Sequence, residues 1–369
     1  MRDERRSDAR PLKASYDLAP TRDVDSSDAE AIRPPTTSRG TRSSKRLCIF
    51  MGCATILVAV AVLFVLLSDS LPASSRATGG YNETEARLYL EYARASFCSP
   101  ESILAWSCGE SCEAAPVVPG TVHVLGPGIK SGVQGFLAIM EPSVSSGMGS
   151  EGRSCIVSFR GSVNAENWEA DARLWPVAWP PPSQEHDSDW CNGCHVHRGF
   201  AAAYAELRAQ LFVAVKSLRC DDVAVAGHSL GAAVATLAAL DLRRSGFQSK
   251  QVYLFGAPRV GDSSFVKAFV AEAVRKHVEP PAWRVIHYMD PVPRLAPRNK
   301  PFGYRHFPRE VYYSTEGFDR YQVCDADNGE DPGCSDHIPL AECLLTLDHV
   351  SYLGKTLRHK DLPRKCRRR

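Results

Sequence analysis

The residues Gly-His-Ser-Leu-Gly at 227–231 place one serine between two glycines, directly after the apolar run 223–226. Alanine and leucine then recur at helical spacing as far as Leu242, so the segment predicts a strand that turns sharply into a helix. Glycine is favoured two residues before and after the apex of such a turn, because those positions lie against neighbouring elements. The hydroxyl of Ser229 would stand over the helix N-terminus, where backbone N–H groups stabilise an oxyanion. The pattern is typical of the nucleophile elbow of serine hydrolases; the alternative is an ordinary glycine-rich turn with an N-capping serine.

A serine hydroxyl becomes a nucleophile only when a histidine takes its proton and an acid orients that histidine. The acid and then the histidine are expected downstream of the elbow. Asp290 follows an apolar segment and precedes a proline-rich turn, which is the place for a carboxylate at the carboxyl edge of a sheet. Asp262 is the competing acid, but its position favours a helix cap. We therefore expect Asp290 to be the acid.

The candidates for the base are the histidines at positions 287, 306, 337, 349 and 359, all of which follow the elbow. His287 lies inside a predicted strand and His359 lies in a basic tail. His306, His337 and His349 remain, and His349 is favoured because it ends an apolar run.

These residues must be positioned by alternating extended and helical segments, which begin at Glu83 and show no internal repeat. Extended segments are predicted at 154–160, 223–226, 251–255 and 283–288. Between the first two, apolar residues recur at helical spacing and predict a helix that faces the core: Phe200, Tyr204, Leu207, Leu211 and Leu218. The alternation predicts an α/β fold with one mostly parallel sheet flanked by helices.

Six segments extend the pattern, in this order: VSFRGSVNAENW, CHVHRGFAAAY, VAVAGHSLGAA, LFGAPRVGD, HYMDPVPRLAP and LDHVSYLG. Through them, residues 83–369 resemble the fungal-type class 3 lipases, the triacylglycerol lipase branch of the α/β-hydrolases. The resemblance implies that Ser229 is the nucleophile, Asp290 the acid and His349 the base. It places the oxyanion donors at Ser162 and at the backbone N–H of Leu230.

The activity that the resemblance implies is hydrolysis of lipid carboxylic esters through an acyl-enzyme, with no metal or organic cofactor. A phospholipase, another carboxylesterase such as a feruloyl esterase, and a non-catalytic membrane-bound protein are alternatives. The family's lid falls on the segment that contains Asn164 and Trp168. Glu166 and Glu169 stand there in place of apolar or basic residues, so we expect weak interfacial activation. The segment LWPVAWPPP, with Trp175 and Trp179, is either a packed loop or a lipid-contacting rim.

Residues 47–68 form a run of 22 residues without a charged side chain, close to the ~20 that cross a bilayer. A polar tail, residues 1–46, precedes the run and is expected to be disordered. Basic residues on the N-terminal side of the uncharged run favour an uncleaved type II signal anchor with the tail in the cytosol. A cleaved signal peptide is the alternative. We expect a linker at 69–82 and a luminal or extracellular catalytic domain at 83–369. The formal net charge of +2 gives no general reason to expect nucleic acid as a partner. The resemblance implies that the partner is a lipid ester at a membrane or lipid interface. The sequence does not indicate a protein partner.

An oxidising compartment is also indicated by a glycosylation acceptor at Asn82 and by eleven cysteines beyond the anchor. The resemblance implies the pairs Cys98–Cys366, Cys108–Cys112 and Cys324–Cys334. Cys191 and Cys194 could form a zinc or redox motif, but a local disulfide is the favoured reading. Because eleven is odd, at least one thiol is free or paired between chains.

Overall fold

The structure is a computed structural model that describes residues 80–145, 152–161, 174–181, 188–343 and 347–357. The α-helices of these residues are α1 Glu83–Ala95, α2 Pro100–Leu104, α3 Glu110–Ala114, α4 Pro142–Ser145, α5 Arg198–Leu218, α6 Leu230–Arg244 and α7 Ser263–Arg275. The strands are β1 His123–Leu125, β2 Gly135–Ile139, β3 Ser154–Phe159, β4 Pro176–Ala178, β5 His195–His197, β6 Asp222–His228, β7 Val252–Phe255, β8 Gly261–Asp262, β9 Trp283–His287, β10 Tyr304–Arg305, β11 Glu310–Tyr313, β12 Tyr321–Val323, β13 Ser351–Tyr352 and β14 Lys355–Thr356. Short 3₁₀ turns lie at Ser188–Cys191, Val292–Arg294, Ser335–His337, Leu340–Glu342 and Asp348–Val350.

The main sheet has eight strands in the order β1-β2-β3-β6-β7-β9-β11-β12. Its five central strands, from β3 to β11, are parallel, whereas β1, β2 and β12 pair antiparallel at the two edges. The expected mostly parallel sheet is therefore a mixed sheet with a parallel centre. The four extended segments predicted from the sequence are the central strands β3, β6, β7 and β9.

Both faces of the central strands are buried, because each face packs against its own apolar cluster. Consecutive side chains of a strand point to opposite faces and so belong to different clusters. Val157, Val225 and Leu254 belong to the apolar cluster that contains the buried residues of α5 and α6. Their neighbours Ile156, Ala224 and Tyr253 belong to the cluster that contains α1. The predicted core face of α5 is buried at Phe200, Tyr204, Leu207 and Leu211, while Leu218 is half-buried against the same cluster.

The first described residues pack beside the main sheet. Tyr81, which the prediction assigns to the linker, is buried and packs against the rings of Trp283 and Tyr321 at 5.3 and 5.2 Å. Within the described ranges, no helix is long and apolar enough to cross a membrane. The predicted tail, residues 1–46, and the predicted anchor, residues 47–68, lie outside those ranges.

Four disulfide bonds join described cysteines: Cys108–Cys112, Cys155–Cys220, Cys191–Cys194 and Cys324–Cys334. Cys98 is also disulfide-bonded, and Cys366, the partner that the resemblance implies, lies outside the described residues. The bond between Cys155 on β3 and Cys220 just before β6 has no counterpart in the sequence-based pairing. Cys343 is a buried free thiol.

Candidate active site

Ser229 occupies the turn between β6 and α6 in a backbone conformation that L-residues rarely adopt. Its φ and ψ are 58° and −126°, and it is the N-cap residue of α6. The backbone N–H of Ser229 donates to the carbonyl of Phe255 at 3.0 Å, which ties the turn to the end of β7. A strained residue held by neighbouring elements at a sheet edge is a feature of nucleophile elbows.

The two flanking glycines are required by close backbone contacts. A Cβ at Gly227 would lie 2.4 Å from the carbonyl oxygen of Gly231, and a Cβ at Gly231 would lie 2.1 Å from that of Phe159. Both distances are far below van der Waals contact. The turn therefore accepts only glycine at these two positions, as the sequence pattern predicts.

Ser229, His349 and Asp290 form one line of hydrogen bonds. The Oγ–H of Ser229 faces Nε2 of His349 at 2.8 Å, and Nδ1–H of His349 faces both carboxylate oxygens of Asp290 at 3.0 Å. His349 lies in a 3₁₀ turn before β13, and Asp290 follows β9, so three separate segments supply the three side chains. All three residues are buried. In this arrangement a carboxylate orients an imidazole that can accept the serine proton.

Asp290 is held by further donors besides His349. Tyr352 O–H donates to Oδ2, and the backbone N–H of Val292 donates to Oδ1 at 2.8 Å. Burial raises the pKa of Asp290, but the neighbouring His349 and these donors outweigh burial and bring its pKa below the ordinary value. Gly256 leaves room for this cluster, since its Cβ would lie 2.8 Å from Oδ2 of Asp290 and 3.0 Å from Nδ1 of His349.

His228, the residue before the nucleophile, is also part of the cluster. Its Nε2 lies 2.6 Å from the backbone carbonyl of His349, and its ring stacks on the His349 ring with centroids 4.6 Å apart. Burial lowers the pKa of His228 to about 3, so the ring is neutral. Because a carbonyl only accepts, the single proton of that ring lies on Nε2 and is donated to His349.

The sequence singles out Ser229, Asp290 and His349, and the structure brings them together. The sequence does not indicate that His228, Tyr352 and Gly256 support the triad. Each stands in a segment that carries the family resemblance, yet nothing in the sequence shows that these segments meet.

The competing residues lie in other environments. Asp262 is the N-cap of α7, where its side chain accepts from the backbone N–H of Phe265 at 2.9 Å. His306 is buried with Nε2 2.8 Å from the carbonyl of Pro293, and burial lowers its pKa well below the ordinary value. His337 is exposed and its Nδ1 contacts the carbonyl of Cys334.

Of the expected oxyanion donors, Leu230 is the first residue of α6. Ser162 lies outside the described residues, as do Asn164 and Trp168 of the expected lid. Gly161, which precedes Ser162, is described and lies against the elbow: its Cβ would be 2.9 Å from the carbonyl oxygen of His228 and 3.1 Å from Cβ of Ser229. The chain entering the expected oxyanion segment therefore passes directly beside Ser229.

The two tryptophans of LWPVAWPPP have different environments. Trp179 is 5% exposed and packs beside Tyr204 of α5, with ring centroids 6.0 Å apart. Trp175 is 51% exposed. The packed-loop interpretation thus holds for Trp179, and Trp175 contributes apolar surface to solvent.

Possible metal ligands converge at Glu310, Cys324 and Cys334, whose ligand atoms lie within 4.8 Å of one another. The two sulfur atoms are joined in a disulfide, so neither is a thiolate ligand. Glu310 already faces Arg284 at 3.2 Å and accepts from the backbone N–H of Ser335. Cys191 and Cys194 are likewise bonded to each other, which leaves no thiol pair there for zinc.

Comparison with known proteins identifies relatives of the chain. The class 3 lipase family model matches residues 156–300. A lipase of Rhizomucor miehei is 36% identical over 215 residues, which cover 56% of this chain and 53% of that protein. The chain thus spans about half the length of that relative. A secreted mono- and diacylglycerol lipase of Fusarium solani is 32% identical over 256 residues, which cover 65% of this chain and 68% of that protein.

A solved structure agrees with these relatives. It is described as a triacylglycerol lipase whose catalytic centre is formed by a serine protease triad. Its TM-score is 0.58 at 28% identity, and the match covers 75% of this chain and 96% of that one. With this fold and these relatives, the chain belongs to the class 3 lipase family.

Proposed function

We propose that the chain is a membrane-anchored serine hydrolase that cleaves carboxylic esters of lipids, with Ser229, His349 and Asp290 as its catalytic triad. The observation that carries the proposal is the line of hydrogen bonds at 2.8 and 3.0 Å through three buried side chains. The serine protease triad named for the related triacylglycerol lipase structure supports it. The acyl donors named for the relatives favour glycerides as substrates.

In the proposed reaction, Oγ of Ser229 attacks the ester carbonyl carbon while Nε2 of His349 takes the hydroxyl proton. The tetrahedral oxyanion collapses, the C–O bond to the alcohol breaks, and His349 gives its proton to the leaving alcohol. Water, deprotonated by His349, then attacks the acyl-enzyme and releases the fatty acid. Asp290 stays ionised throughout and holds the imidazole in the tautomer with hydrogen on Nδ1.

We assign oxyanion binding to the backbone N–H of Leu230 and to Ser162. Leu230 follows the nucleophile at the start of α6, where its N–H group and the helix dipole favour negative charge. Each preorganised donor of this kind typically contributes about 10²–10³ in rate. Asn164 and Trp168 are proposed to belong to a lid, in which Glu166 and Glu169 reduce the apolar area available to an interface.

For the whole chain we propose a cytosolic tail at 1–46, a signal anchor at 47–68, a linker at 69–82 and a luminal or extracellular catalytic domain at 83–369. Glycosylation at Asn82 requires the outward orientation, and the exposed side chain of Asn82 is accessible for it. Its Oδ1 caps α1 by accepting from the N–H of Glu85 at 3.2 Å, which leaves the amide nitrogen available for glycan. Protease added to intact vesicles should remove an N-terminal tag and leave the glycosylated domain intact. Loss of the domain with a protected N-terminal tag would contradict this orientation.

The proposed activity is tested with purified enzyme and p-nitrophenyl esters, glycerides and phospholipids. Ser229→Ala should abolish hydrolysis of every ester that the parent cleaves, because no other group attacks the carbonyl. His306→Ala is the control, since His306 is also a buried histidine but its Nε2 faces the backbone carbonyl of Pro293 and no residue of the triad. Parental rates for a folded Ser229→Ala enzyme would overturn the triad. The panel would also separate a glyceride lipase from a phospholipase or another carboxylesterase.

A further inference from the structure

A groove of about 480 Å³ lies beside the segment that follows Asp290. Its apolar lining includes Leu174, Leu295 and Leu340, and Arg294, Arg298 and Asp336 also face it. The 3₁₀ turn Val292–Arg294 leads from Asp290 into this lining. The groove therefore opens at the carboxyl edge of the parallel strands, the edge that carries the proposed nucleophile and acid.

One wall of the groove continues into residues 297–305, which we call the basic loop. Its sequence, PRNKPFGYR, contains three basic residues and no carboxylate. Backbone N–H groups of Phe302 and Tyr304 donate to the carbonyls of Asn299 and Pro297 at 3.0 and 3.2 Å. Nη1 of Arg305 donates to the carbonyl of Arg298 at 2.9 Å. These hydrogen bonds close the basic loop, and its three cations lie on one short stretch of chain.

The charged side chains that line the groove are positive on balance. Arg259 is buried and its guanidinium binds Glu330 at 2.8 and 2.9 Å. Arg294 and Arg298 share Asp336 at 3.4 and 2.9 Å. These three arginines face two carboxylates, which leaves one positive charge in the cluster. The side chain of Arg298 is half-exposed and is the one that faces solvent. Lys300 and Arg305 of the basic loop add two more.

Exposed apolar side chains border these cations. Trp175 is 51% exposed and its ring lies 5.2 Å from that of Phe302 in the basic loop. The hydroxyl of Tyr304 in the basic loop donates to the carbonyl of Leu174 at 2.5 Å. Because Leu174 directly precedes Trp175, this bond joins the backbone beside Trp175 to the basic loop. Leu340, on another wall of the groove, is 48% exposed. Tryptophan and leucine beside lysine and arginine are the side chains that bind the headgroup region of a bilayer.

We propose that Trp175, Arg298, Lys300, Phe302, Arg305 and Leu340 form a docking face for a bilayer that contains anionic phospholipids. The cations bind headgroup phosphates and carboxylates, while Trp175 and Leu340 enter the interface. Docking by this face turns the carboxyl edge of the sheet, with Ser229 and Asp290, toward the lipid. This docking is independent of ester cleavage and goes beyond the proposed function.

The test is amide hydrogen exchange of the full chain in lipid nanodiscs, because exchange reports surface contact whether or not residues 47–68 are embedded. Discs of phosphatidylcholine alone are compared with discs in which roughly one-third of the lipid is phosphatidylserine. We expect the amides of the basic loop to exchange more slowly in the anionic discs and to lose this protection at ~0.5 M salt.

Lys300→Gln should lower the protection about fivefold, the effect expected from one cation near an anionic surface. Lys216→Gln is the matched control, because Lys216 is an exposed lysine on the other side of the molecule. It lies near the end of α5, which leads into the amino end of β6, at the sheet edge opposite the one that carries Ser229. Equal exchange in the two kinds of disc would overturn the proposal, as would unchanged protection in Lys300→Gln. Hydrolysis of a soluble ester by the same samples separates this failure from failure of the proposed function.

Discussion

At the scale of single residues, the proposed triad is held by groups that are in place before substrate arrives. Asp290 accepts from His349, Tyr352 and the backbone of Val292, and the carbonyl of His349 faces Nε2 of His228. The imidazole is thereby fixed through its ring and its backbone. Order along the chain and flanking patterns are enough to select Ser229, Asp290 and His349. They do not reveal His228 or Tyr352 as supports, because those roles arise only when distant segments fold against one another.

His228→Phe tests the support of the proposed base. Phenylalanine keeps a ring against His349 but removes the N–H that faces its carbonyl, so the imidazole should lose its fixed position. We expect kcat on a soluble ester to fall about 10–100-fold with little change in KM. His337→Phe, at an exposed histidine, should leave both constants unchanged. A folded His228→Phe enzyme with parental kcat would show that His228 does not position His349.

At the scale of elements, the predictable strands are the ones buried on both faces. β3, β6, β7 and β9 are apolar in sequence because helices cover both sides of them. The edge strands β1 and β12 have only three residues each, and half-buried positions give them no clear pattern. The Cys155–Cys220 bond could not be predicted either, because it depends on the pairing of β3 with β6 rather than on nearness in sequence.

The end of β7 is tested by Gly256→Ala. The new methyl group would press on Asp290 and His349 at 2.8 and 3.0 Å, so we expect kcat to fall about 100-fold in a folded enzyme. Gly120→Ala is the control, because Gly120 also has a positive φ, +77°, but no atom lies within 4 Å of its Cβ position. Both variants should lose about 1 kcal/mol of stability from backbone strain. Equal activity in the two variants would refute the crowding argument.

The disulfides should differ in their contributions to stability. Cys155 and Cys220 are 65 residues apart, whereas Cys191 and Cys194 are three apart. Chain-entropy arguments give about 4 kcal/mol for the longer loop and about 2 kcal/mol for the shorter. Urea unfolding of the double alanine variants should therefore show the larger loss for Cys155→Ala with Cys220→Ala. The reverse order would mean that unfolded-chain entropy does not set these contributions.

At the scale of the whole molecule, several histidines are buried in neutral form. Burial lowers the pKa of His228 to about 3 and of His197 to about 4, and it lowers the pKa of His306 well below its ordinary value. In the unfolded chain these rings take up a proton near pH ~6.5. The unfolded state therefore binds more protons than the folded state below that pH, and acid favours unfolding.

The free energy of unfolding should be nearly constant above pH ~7 and fall as the pH is lowered from ~6.5 toward ~4. Each buried neutral histidine contributes up to about 1.4 kcal/mol per pH unit. Urea unfolding at several pH values measures this slope. His228→Phe should reduce the slope by up to about 1.4 kcal/mol per pH unit, because it removes one buried neutral histidine. A slope that is the same in the parent and in His228→Phe would contradict the assignment of a neutral, buried His228.

The most direct test of the account is where an alkyl p-nitrophenyl phosphonate reacts, because such a probe bonds covalently to an activated serine. Mass spectrometry should find one adduct, on the peptide that contains Ser229, with release of one equivalent of p-nitrophenol. His349→Ala should react at least ~100-fold more slowly, and His306→Ala should react like the parent. An adduct on a different serine, or labelling of Ser229 that is unaffected by His349→Ala, would contradict the proposal that His349 activates Ser229.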